Sequence, residues 1–158
     1  MSAPVSIDFI SDVVCPWCAL GATALEEAID NLAGGGKRSH FYNTFDAHRL
    51  LFWALQQGRQ IELKKSLLRG YFSDGQNVSD HETLARLAAE AGLDIEGARK
   101  VLGSTAYANE VRELEVFYRE HGINSVPAMV LNGRQLVSGS QSVSYYEQML
   151  REMSAAAA

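Results

Sequence analysis

Two cysteines, Cys15 and Cys18, are the residues of this chain best suited to chemistry. Pro16, which follows Cys15, suits the first position of a helix because its φ is preset and it lacks an N–H. A thiol at a helix start faces unpaired N–H groups and the positive end of the helix dipole, and both favour the nucleophilic thiolate. Cys18, one turn later, would lie on the same side and could attack a mixed disulfide formed at Cys15. Residue types and spacing alone therefore indicate a close pair of thiols at a helix start.

Two other interpretations of the pair stay open. A structural zinc site needs further ligands at a compatible spacing. The chain has no other cysteine, and its four histidines, at positions 40, 48, 81 and 121, lie at unhelpful separations, so we expect no metal and no cofactor. Inert buried thiols are the second alternative. They are disfavoured because a CxxC that follows a strand and opens a helix is typical of redox motifs.

Composition limits the class of protein. With 158 residues, 47% of them apolar, the chain can form one domain with a core, or one domain with a sizeable insertion. Charged residues make up 21%, and no apolar run reaches about 18 residues, so we expect neither a membrane span nor disorder. The formal net charge of -5 and the scattered basic residues disfavour nucleic-acid binding. The first residues lack the pattern of a secretory signal, so we expect a cytoplasmic protein.

Hydrophobic periodicity predicts the elements that position the cysteines. Residues 5–10 alternate as a strand, and residues 16–32 keep helical spacing up to the break at residues 34–36, which are all glycine. Residues 43–121 contain no strand pattern and predict four or five helices. The expected helix starts are Asn43 or Thr44, about Gln60, a capping box of Ser79 with Glu82, Asp94 and Ser104.

The period changes again after residue 121. Residues 128–131 are a short apolar run, and residues 135–137 supply a returning strand. Asn132-Gly133 between them is the strongest signal for a two-residue hairpin turn. Residues 142–153 then predict a final amphipathic helix.

This order of elements, with three separated motifs, resembles the DsbA family of thioredoxin-fold proteins. The resemblance is specifically to its FrnE-like branch, which neighbours the 2-hydroxychromene-2-carboxylate isomerases. The motifs are SDVVCPWC at residues 11–18, NTFDAHRL at residues 43–50 and GINSVPA at residues 122–128, followed by NG and VSG. The resemblance implies an α/β thioredoxin fold with an inserted helical domain. Residues 1–36 and 122–158 would form the thioredoxin-like domain, and residues 37–121 the helical insertion.

The chain departs from the family pattern in one place. The family has a second parallel strand and several tens of further residues between the first helix and the helical block. Here only the glycine-rich residues 33–40 lie between them, so the expected fold lacks the second core strand. A parallel connection needs a dozen or more residues, which favours an omitted or deleted segment. The alternative is a three-stranded sheet with an unpaired edge, which would invite pairing with another chain.

The resemblance also implies roles for individual residues. Cys15 is the attacking thiol and Cys18 the resolving thiol. Pro127 is a cis proline that faces the cysteines, and Val126 before it pairs through its backbone with an extended substrate. From the sequence alone, a trans proline at a strand start is the commoner form. We expect His48 to line the cleft above the cysteines, and a surface histidine on a helix is the equal alternative.

Four further residues are candidates for supporting roles. Pro16 and Trp17 would affect how well the thiolate is stabilised, and hence the redox potential. Trp17 would also offer an apolar face to a substrate, with packing over the helix start as the alternative. Asp12 and Asp8 are candidates for the group that accepts the Cys18 proton. A solvated or partner-bound carboxylate is the alternative for each.

These features predict a thiol-disulfide oxidoreductase that acts on protein or peptide disulfides, as a monomer or homodimer. Reductase, isomerase and stress roles fit as well as net oxidation, because disulfides in the cytoplasm are usually transient. One rival is a glutathione-dependent isomerase or transferase, with glutathione as the partner. Those relatives carry serine in place of Cys15, and glutathione activation needs no resolving thiol. A second rival is a chaperone module that binds clients in an apolar cleft.

Overall fold

The computed structural model describes residues 7–12 and 42–156, with the side chains of residues 7–9, 150 and 153–156 left out. The predictions on Cys15, Pro16, Trp17 and Cys18 lie outside the described residues. So do those on the first helix and on the connection at residues 33–40. The chain divides into two compact units, one of Met1–Ala33 with Ile123–Ala158 and the other of Gly34–Gly122.

The described elements follow the predicted order of strand, helices, hairpin and helix. In chain order they are β1 (Ile7–Ile10), α1 (Phe45–Gln56), α2 (Gln60–Phe72), α3 (His81–Glu90), α4 (Ile95–Leu102), α5 (Ala108–Glu120), β2 (Ala128–Leu131), β3 (Gln135–Ser138) and α6 (Val143–Ala156). None of these helices is long and apolar enough to cross a membrane.

The first unit contains a sheet of three described strands in the order β1-β2-β3, with antiparallel neighbours. Ile7 lies opposite Leu131, and Ile10 lies opposite Ala128. Local alternation of apolar residues predicts each strand. It does not predict that a strand near residue 7 pairs with one near residue 128, because that register depends on contacts remote in sequence.

The hairpin between β2 and β3 turns at Asn132 and Gly133, whose φ angles are 48° and 65°. The Arg134 N–H donates to the Leu131 carbonyl at 3.0 Å. Positive φ at two successive positions explains why Asn-Gly suits the turn. Because Leu131 pairs with Gln135, three residues separate the paired ends instead of the two that the motif predicts.

Helix α6 completes the described part of the first unit. Ser142 begins it, since its hydroxyl accepts a hydrogen bond from the Tyr145 N–H at 3.2 Å. The Tyr146 side chain is fully buried, and its hydroxyl accepts a hydrogen bond from the Gln141 N–H at 3.1 Å. Among the described residues of this unit, the buried apolar side chains are those of Pro127, Ala128, Met129, Leu131, Val137, Tyr146 and Met149.

The second unit is helical over its described residues and has its own core. Leu50 of α1, Leu63 and Leu67 of α2, and Leu84 and Leu87 of α3 are fully buried. A buried polar contact adds to this packing, because the Ser66 hydroxyl donates to the Leu87 carbonyl at 3.0 Å. Helices α2 and α3 are therefore joined by apolar packing and by one buried hydrogen bond.

The observed helix caps agree only in part with those predicted from the sequence. Asp94 caps α4 as predicted, accepting from the Gly97 N–H at 2.7 Å. The predicted capping box of Ser79 with Glu82 is wrong, because Asp80 is the N-cap of α3 and accepts from the Thr83 N–H at 2.8 Å. Glu82 instead pairs with Arg99 at 2.8 Å. Ser79 donates through both its N–H and its hydroxyl to the Asn77 side chain.

Helix α5 begins later than Ser104, its predicted start. The Ser104 hydroxyl accepts a hydrogen bond from the Ala106 N–H at 3.2 Å, forming a turn before the helix. Tyr107 then adopts a left-handed conformation, with φ of 61°, at the N-cap. Within α5 only Val111 is buried, while Leu114 and Phe117 are exposed.

Candidate functional site

The segment that precedes the cysteines leaves the sheet beside Pro127. Ile10 is the last residue of β1 and lies opposite Ala128, the first residue of β2. The carboxyl end of β1 and the amino end of β2 therefore meet at one end of the sheet. Pro127 immediately precedes Ala128 there, and its side chain is fully buried. The Val126–Pro127 peptide bond is cis.

The carbonyl of Pro127 is hydrogen-bonded to the residue that follows β3. It accepts a hydrogen bond from the Gly139 N–H at 2.8 Å. Gly139 has a φ of 79°, a conformation that glycine adopts without steric cost. A Cβ at this position would meet no atom within 4 Å, so the constraint on this glycine is its backbone conformation. The loop after β3 thereby fixes the backbone of Pro127.

Two of the predicted site residues flank the pair of Ile10 and Ala128 at the same end of the sheet. Asp12 lies two residues beyond Ile10, and Val126 lies two residues before Ala128. Asp12 is half-buried, and the Val126 side chain is 37% exposed. Asp12 also lies three residues before Cys15 in the sequence. Asp12, Val126 and Pro127 are thus placed at the sheet end from which the chain continues to the cysteines.

The other two predicted residues with described backbones belong to β1 and to α1. Asp8 occupies a register position within β1 opposite Val130, and its side chain is outside the described part of the structure. His48 lies on α1 in the helical unit, where its side chain is half-buried. Its backbone N–H donates to the Thr44 carbonyl at 3.0 Å, in the first turn of that helix.

Sequence reasoning missed Arg49, the residue after His48. Its side chain is buried, with 4% exposed. The guanidinium donates to the carbonyls of Val101, Ser104 and Ala106, at 2.5, 2.5 and 2.8 Å. These carbonyls belong to the end of α4 and to the turn that leads into α5. A guanidinium has five N–H donors and no acceptor, so it suits a cluster of carbonyl oxygens.

Asp46 balances the buried charge of Arg49. One of its carboxylate oxygens lies 2.7 Å from Arg49, and the other lies 2.9 Å from His81 Nε2. Burial opposes ionisation of this carboxyl, but hydrogen bonds from His81 and Arg49 outweigh it and lower the pKa of Asp46 below its ordinary value. The cluster joins the first turn of α1 to the start of α3 and to the end of α4. The signal in the sequence is the pair of opposite charges three residues apart on one helix.

The described residues contain no group of three or more histidine, cysteine, aspartate or glutamate side chains arranged to hold a metal ion. The side chain of His81, for example, lies beside a single carboxylate that already pairs with Arg49. Asp12 is a titratable side chain at the sheet end, and the two cysteines follow it in the sequence.

Comparisons with known proteins support one family. The family model described as a DSBA-like thioredoxin domain matches residues 36–151. A curated relative, the uncharacterized protein YwbO of Bacillus subtilis strain 168, is 22% identical over 194 residues, covering 94% of this chain and 96% of the relative. The alignment is longer than the 158 residues of this chain, so it includes residues of the relative that have no counterpart here.

Two solved structures are similar over nearly the whole chain. A probable DsbA oxidoreductase of Streptomyces coelicolor, SCO1869, is 28% identical with a TM-score of 0.81, covering 95% of this chain and 90% of that one. The cytosolic disulfide reductase DsbM of Pseudomonas aeruginosa, solved with GSH, is 16% identical with a TM-score of 0.69, covering 92% of this chain and 98% of that one. The second likeness is one of fold alone.

Proposed function

Because this chain belongs to the DSBA-like thioredoxin domain family, we propose that it is a thiol-disulfide oxidoreductase acting on protein or peptide disulfides. The family and the α/β thioredoxin fold with an inserted helical domain, both expected from the sequence, are confirmed. The observation that carries the proposal is the end of the sheet. There the strand that leads to Cys15 and Cys18 ends beside the Val126–Pro127 bond.

In the proposed reaction, the Cys15 thiolate attacks one sulfur of a substrate disulfide. A mixed disulfide forms, and the other substrate sulfur leaves as a thiolate. Cys18 then loses its proton and attacks the Cys15 sulfur, which releases the second substrate thiolate. The substrate gains two electrons, and Cys15 and Cys18 end as a disulfide. Net oxidation of a substrate dithiol is the same sequence in reverse.

The described residues would supply substrate binding and a proton acceptor. Val126 is partly exposed and precedes a proline whose carbonyl is already bonded to Gly139, so substrate contacts would be made by Val126 and not by the Pro127 carbonyl. Asp12, half-buried and close to the cysteines in sequence, is the preferred acceptor of the Cys18 proton. Asp8, in the interior of β1, is the alternative. We propose that His48, a residue of the helical unit, contacts the substrate. Pro16 and Trp17 are proposed to affect how well the Cys15 thiolate is stabilised.

Glutathione is the second candidate partner, and one observation favours it. The similar DsbM structure was solved with GSH and is named a cytosolic disulfide reductase. By analogy we propose a cytoplasmic location, and we propose the FrnE-like branch on the three motifs at residues 11–18, 43–50 and 122–128. A dithiol mechanism and a glutathione-dependent isomerase differ in their need for Cys18, because activation of glutathione requires no resolving thiol.

The test is reduction of insulin disulfides by the wild type, Cys15→Ser and Cys18→Ser proteins, with dithiothreitol as the reductant that returns Cys15 and Cys18 to thiols. Loss of turnover in both variants supports the dithiol mechanism. Turnover that survives in Cys18→Ser when glutathione is present supports the glutathione-dependent rival. Protection of an unfolded client that is unchanged in Cys15→Ser would support a chaperone module instead.

The direction of net transfer needs a separate measurement, the reduction potential of the cysteine pair in glutathione buffers. A potential near roughly -120 mV would mark a disulfide donor, and one near roughly -270 mV a reductase. Tryptophan fluorescence can follow the equilibrium, since Trp17 lies between the two cysteines.

A further inference from the structure

One stripe of helix α1 carries Phe45, His48 and Phe52, whose spacing of three and four residues places them on the same face of the helix. All three side chains are half-buried. Tyr107, the N-cap of α5, lies at one end of the stripe, with its ring centre 5.5 Å from that of Phe52. The Arg112 guanidinium of α5 lies at the other end, 5.0 Å from the centre of the Phe45 ring. His48 thus lies on α1 between two contacts with α5 and its N-cap.

Arg112 supplies a positive charge at this face. It is exposed, and among the described residues it forms no ion pair. Glu115 has the spacing of a helical ion pair with Arg112, but the guanidinium lies over Phe45 instead. Asp46, the residue after Phe45, already pairs with Arg49. The five N–H donors of a guanidinium suit a carboxylate, which two of them can bind side by side.

The backbone of Tyr107 is an independent sign that this face has a function. Its φ of 61° lies in the left-handed region, which an aromatic residue seldom adopts. Arg49 fixes the turn around it by donating to the carbonyls of Ser104 and Ala106. Unfavourable backbone conformations persist where their surroundings impose them, and they cluster at active sites and ligand sites. Here the conformation accompanies the contact of the Tyr107 ring with Phe52.

We propose that this face, formed by Phe45, His48, Phe52, Tyr107 and Arg112, binds a carboxylate of the disulfide substrate through Arg112. The inference rests on the proposed function and names its substrate class. That class is disulfides with a carboxylate close to the sulfur atoms, of which glutathione disulfide is a small member. The charge of the guanidinium complements the carboxylate, and the aromatic rings suit the apolar parts of the substrate.

The reaction with glutathione disulfide follows the dithiol mechanism. The Cys15 thiolate attacks one sulfur, and the first glutathione leaves as a thiolate. Cys18 then loses its proton and attacks the Cys15 sulfur, which releases the second glutathione thiolate. Two electrons pass from the two cysteines to the substrate, so no further reductant takes part in this half of the cycle.

The test compares glutathione disulfide with the uncharged hydroxyethyl disulfide. The reduced full-length protein is mixed with an excess of each, and the rate of its oxidation is measured by trapping the remaining thiols. Arg112→Met is expected to slow oxidation by glutathione disulfide about tenfold, the effect of one charge-assisted hydrogen bond. Its rate with hydroxyethyl disulfide should equal that of wild type. An unchanged rate with glutathione disulfide, or equal slowing with both disulfides, overturns the inference.

Arg86→Met on α3 is the matched control, because it removes the same charge from another exposed arginine of the helical unit. It should change neither rate. If it slows oxidation by glutathione disulfide as much as Arg112→Met does, the effect comes from net charge and the inference is wrong.

Hydroxyethyl disulfide also separates this inference from the proposed function. A wild type that reacts with it, but whose rate with glutathione disulfide does not depend on Arg112, overturns the inference alone. A wild type that reacts with neither disulfide overturns the proposed function as well.

Two peptide disulfides identify the source of the carboxylate. They differ only in having Glu or Gln beside the cysteine. Slowing by Arg112→Met that is confined to glutathione disulfide supports glutathione as the source. Slowing that extends to the Glu peptide, but not to the Gln peptide, supports acidic peptide segments in addition.

Discussion

The helical unit and the sheet unit hold their structures together in different ways. In the helical unit, fully buried leucines of successive helices pack together, and Arg49 joins α1 to the turn before α5. In the sheet unit, strands of four residues pair across more than a hundred residues of sequence, as Ile7 does with Leu131. The helical unit is thus stabilised by packing between helices and by a buried charged cluster, while the candidate site depends on the pairing of two short strands remote in sequence. Substitutions in the helical unit should therefore lower mainly the free energy of unfolding. Substitutions at the sheet end should lower mainly the redox activity.

Removal of Arg49 should have the largest effect on stability. Arg49→Met leaves the Asp46 carboxylate without its buried partner and removes the guanidinium donor from the carbonyls of Val101, Ser104 and Ala106. The free energy of unfolding should fall by about 3 kcal/mol, measured by urea denaturation. Arg112→Met is the control, because Arg112 is exposed and lies over the Phe45 ring, and it should change stability by less than about 1 kcal/mol. Equal losses in the two variants would contradict the role assigned to Arg49.

Two glycines allow a matched comparison of the units. Gly139 beside Pro127 and Gly58 between α1 and α2 have φ of 79° and 67°, and a Cβ would meet no atom within 4 Å at either position. Alanine at each should cost about 1–2 kcal/mol of stability, since both require the left-handed region. Only Gly139→Ala should also slow insulin reduction, because Gly139 holds the Pro127 carbonyl. If Gly58→Ala slows insulin reduction as much as Gly139→Ala does, the hydrogen bond from Gly139 to the Pro127 carbonyl is not needed for activity.

The N-cap of α4 allows a smaller test that concerns only the stability of the helical unit. Asp94→Ala removes the acceptor for the Gly97 N–H and should destabilise the protein by about 1 kcal/mol. Thermal unfolding measures this loss. Asp94→Asn keeps a side-chain oxygen at the cap and should recover most of the stability, and the redox activity of both variants at room temperature should match that of the wild type.

The smallest expected effect is a dependence of stability on pH. The pKa of Asp46 is lowered in the folded protein, so its ion pair stabilises the fold above the ordinary value of 3.8. That contribution should disappear as the pH falls through the lowered pKa. The stabilities of wild type and Asp46→Asn should differ at neutral pH and converge in acid, as followed by urea denaturation at each pH. A difference that does not narrow in acid would show that the carboxylate charge is not its source.

The sequence predicts the local features of both units and few of their long-range contacts. Apolar alternation and Asn132-Gly133 are enough for the hairpin, because both signals lie within the hairpin itself. The start of α5 was misplaced because the left-handed conformation of Tyr107 is unusual for an aromatic residue and has no local signal. The buried role of Arg49 was missed because an arginine in a helical pattern is normally on the surface.

The candidate site could be predicted only in part. The family motif led to Pro127, but the placement of Pro127 beside the end of β1 requires the register of Ile10 with Ala128. That register comes from the pairing of two strands remote in sequence, which the pattern of neither strand contains. The roles of Cys15 and Cys18 stay predictions from their spacing and from the family.

The central claim is that Cys15 attacks a substrate disulfide and Cys18 resolves the product. The most direct test is to mix Cys18→Ser with a disulfide-containing peptide, quench with acid and map the adduct by mass spectrometry. The account predicts a stable mixed disulfide on Cys15 that does not form in Cys15→Ser. It also predicts that wild type releases the reduced peptide and ends with a bond between Cys15 and Cys18. An unmodified Cys15 in Cys18→Ser, with peptide reduction equal to that of wild type, would contradict it.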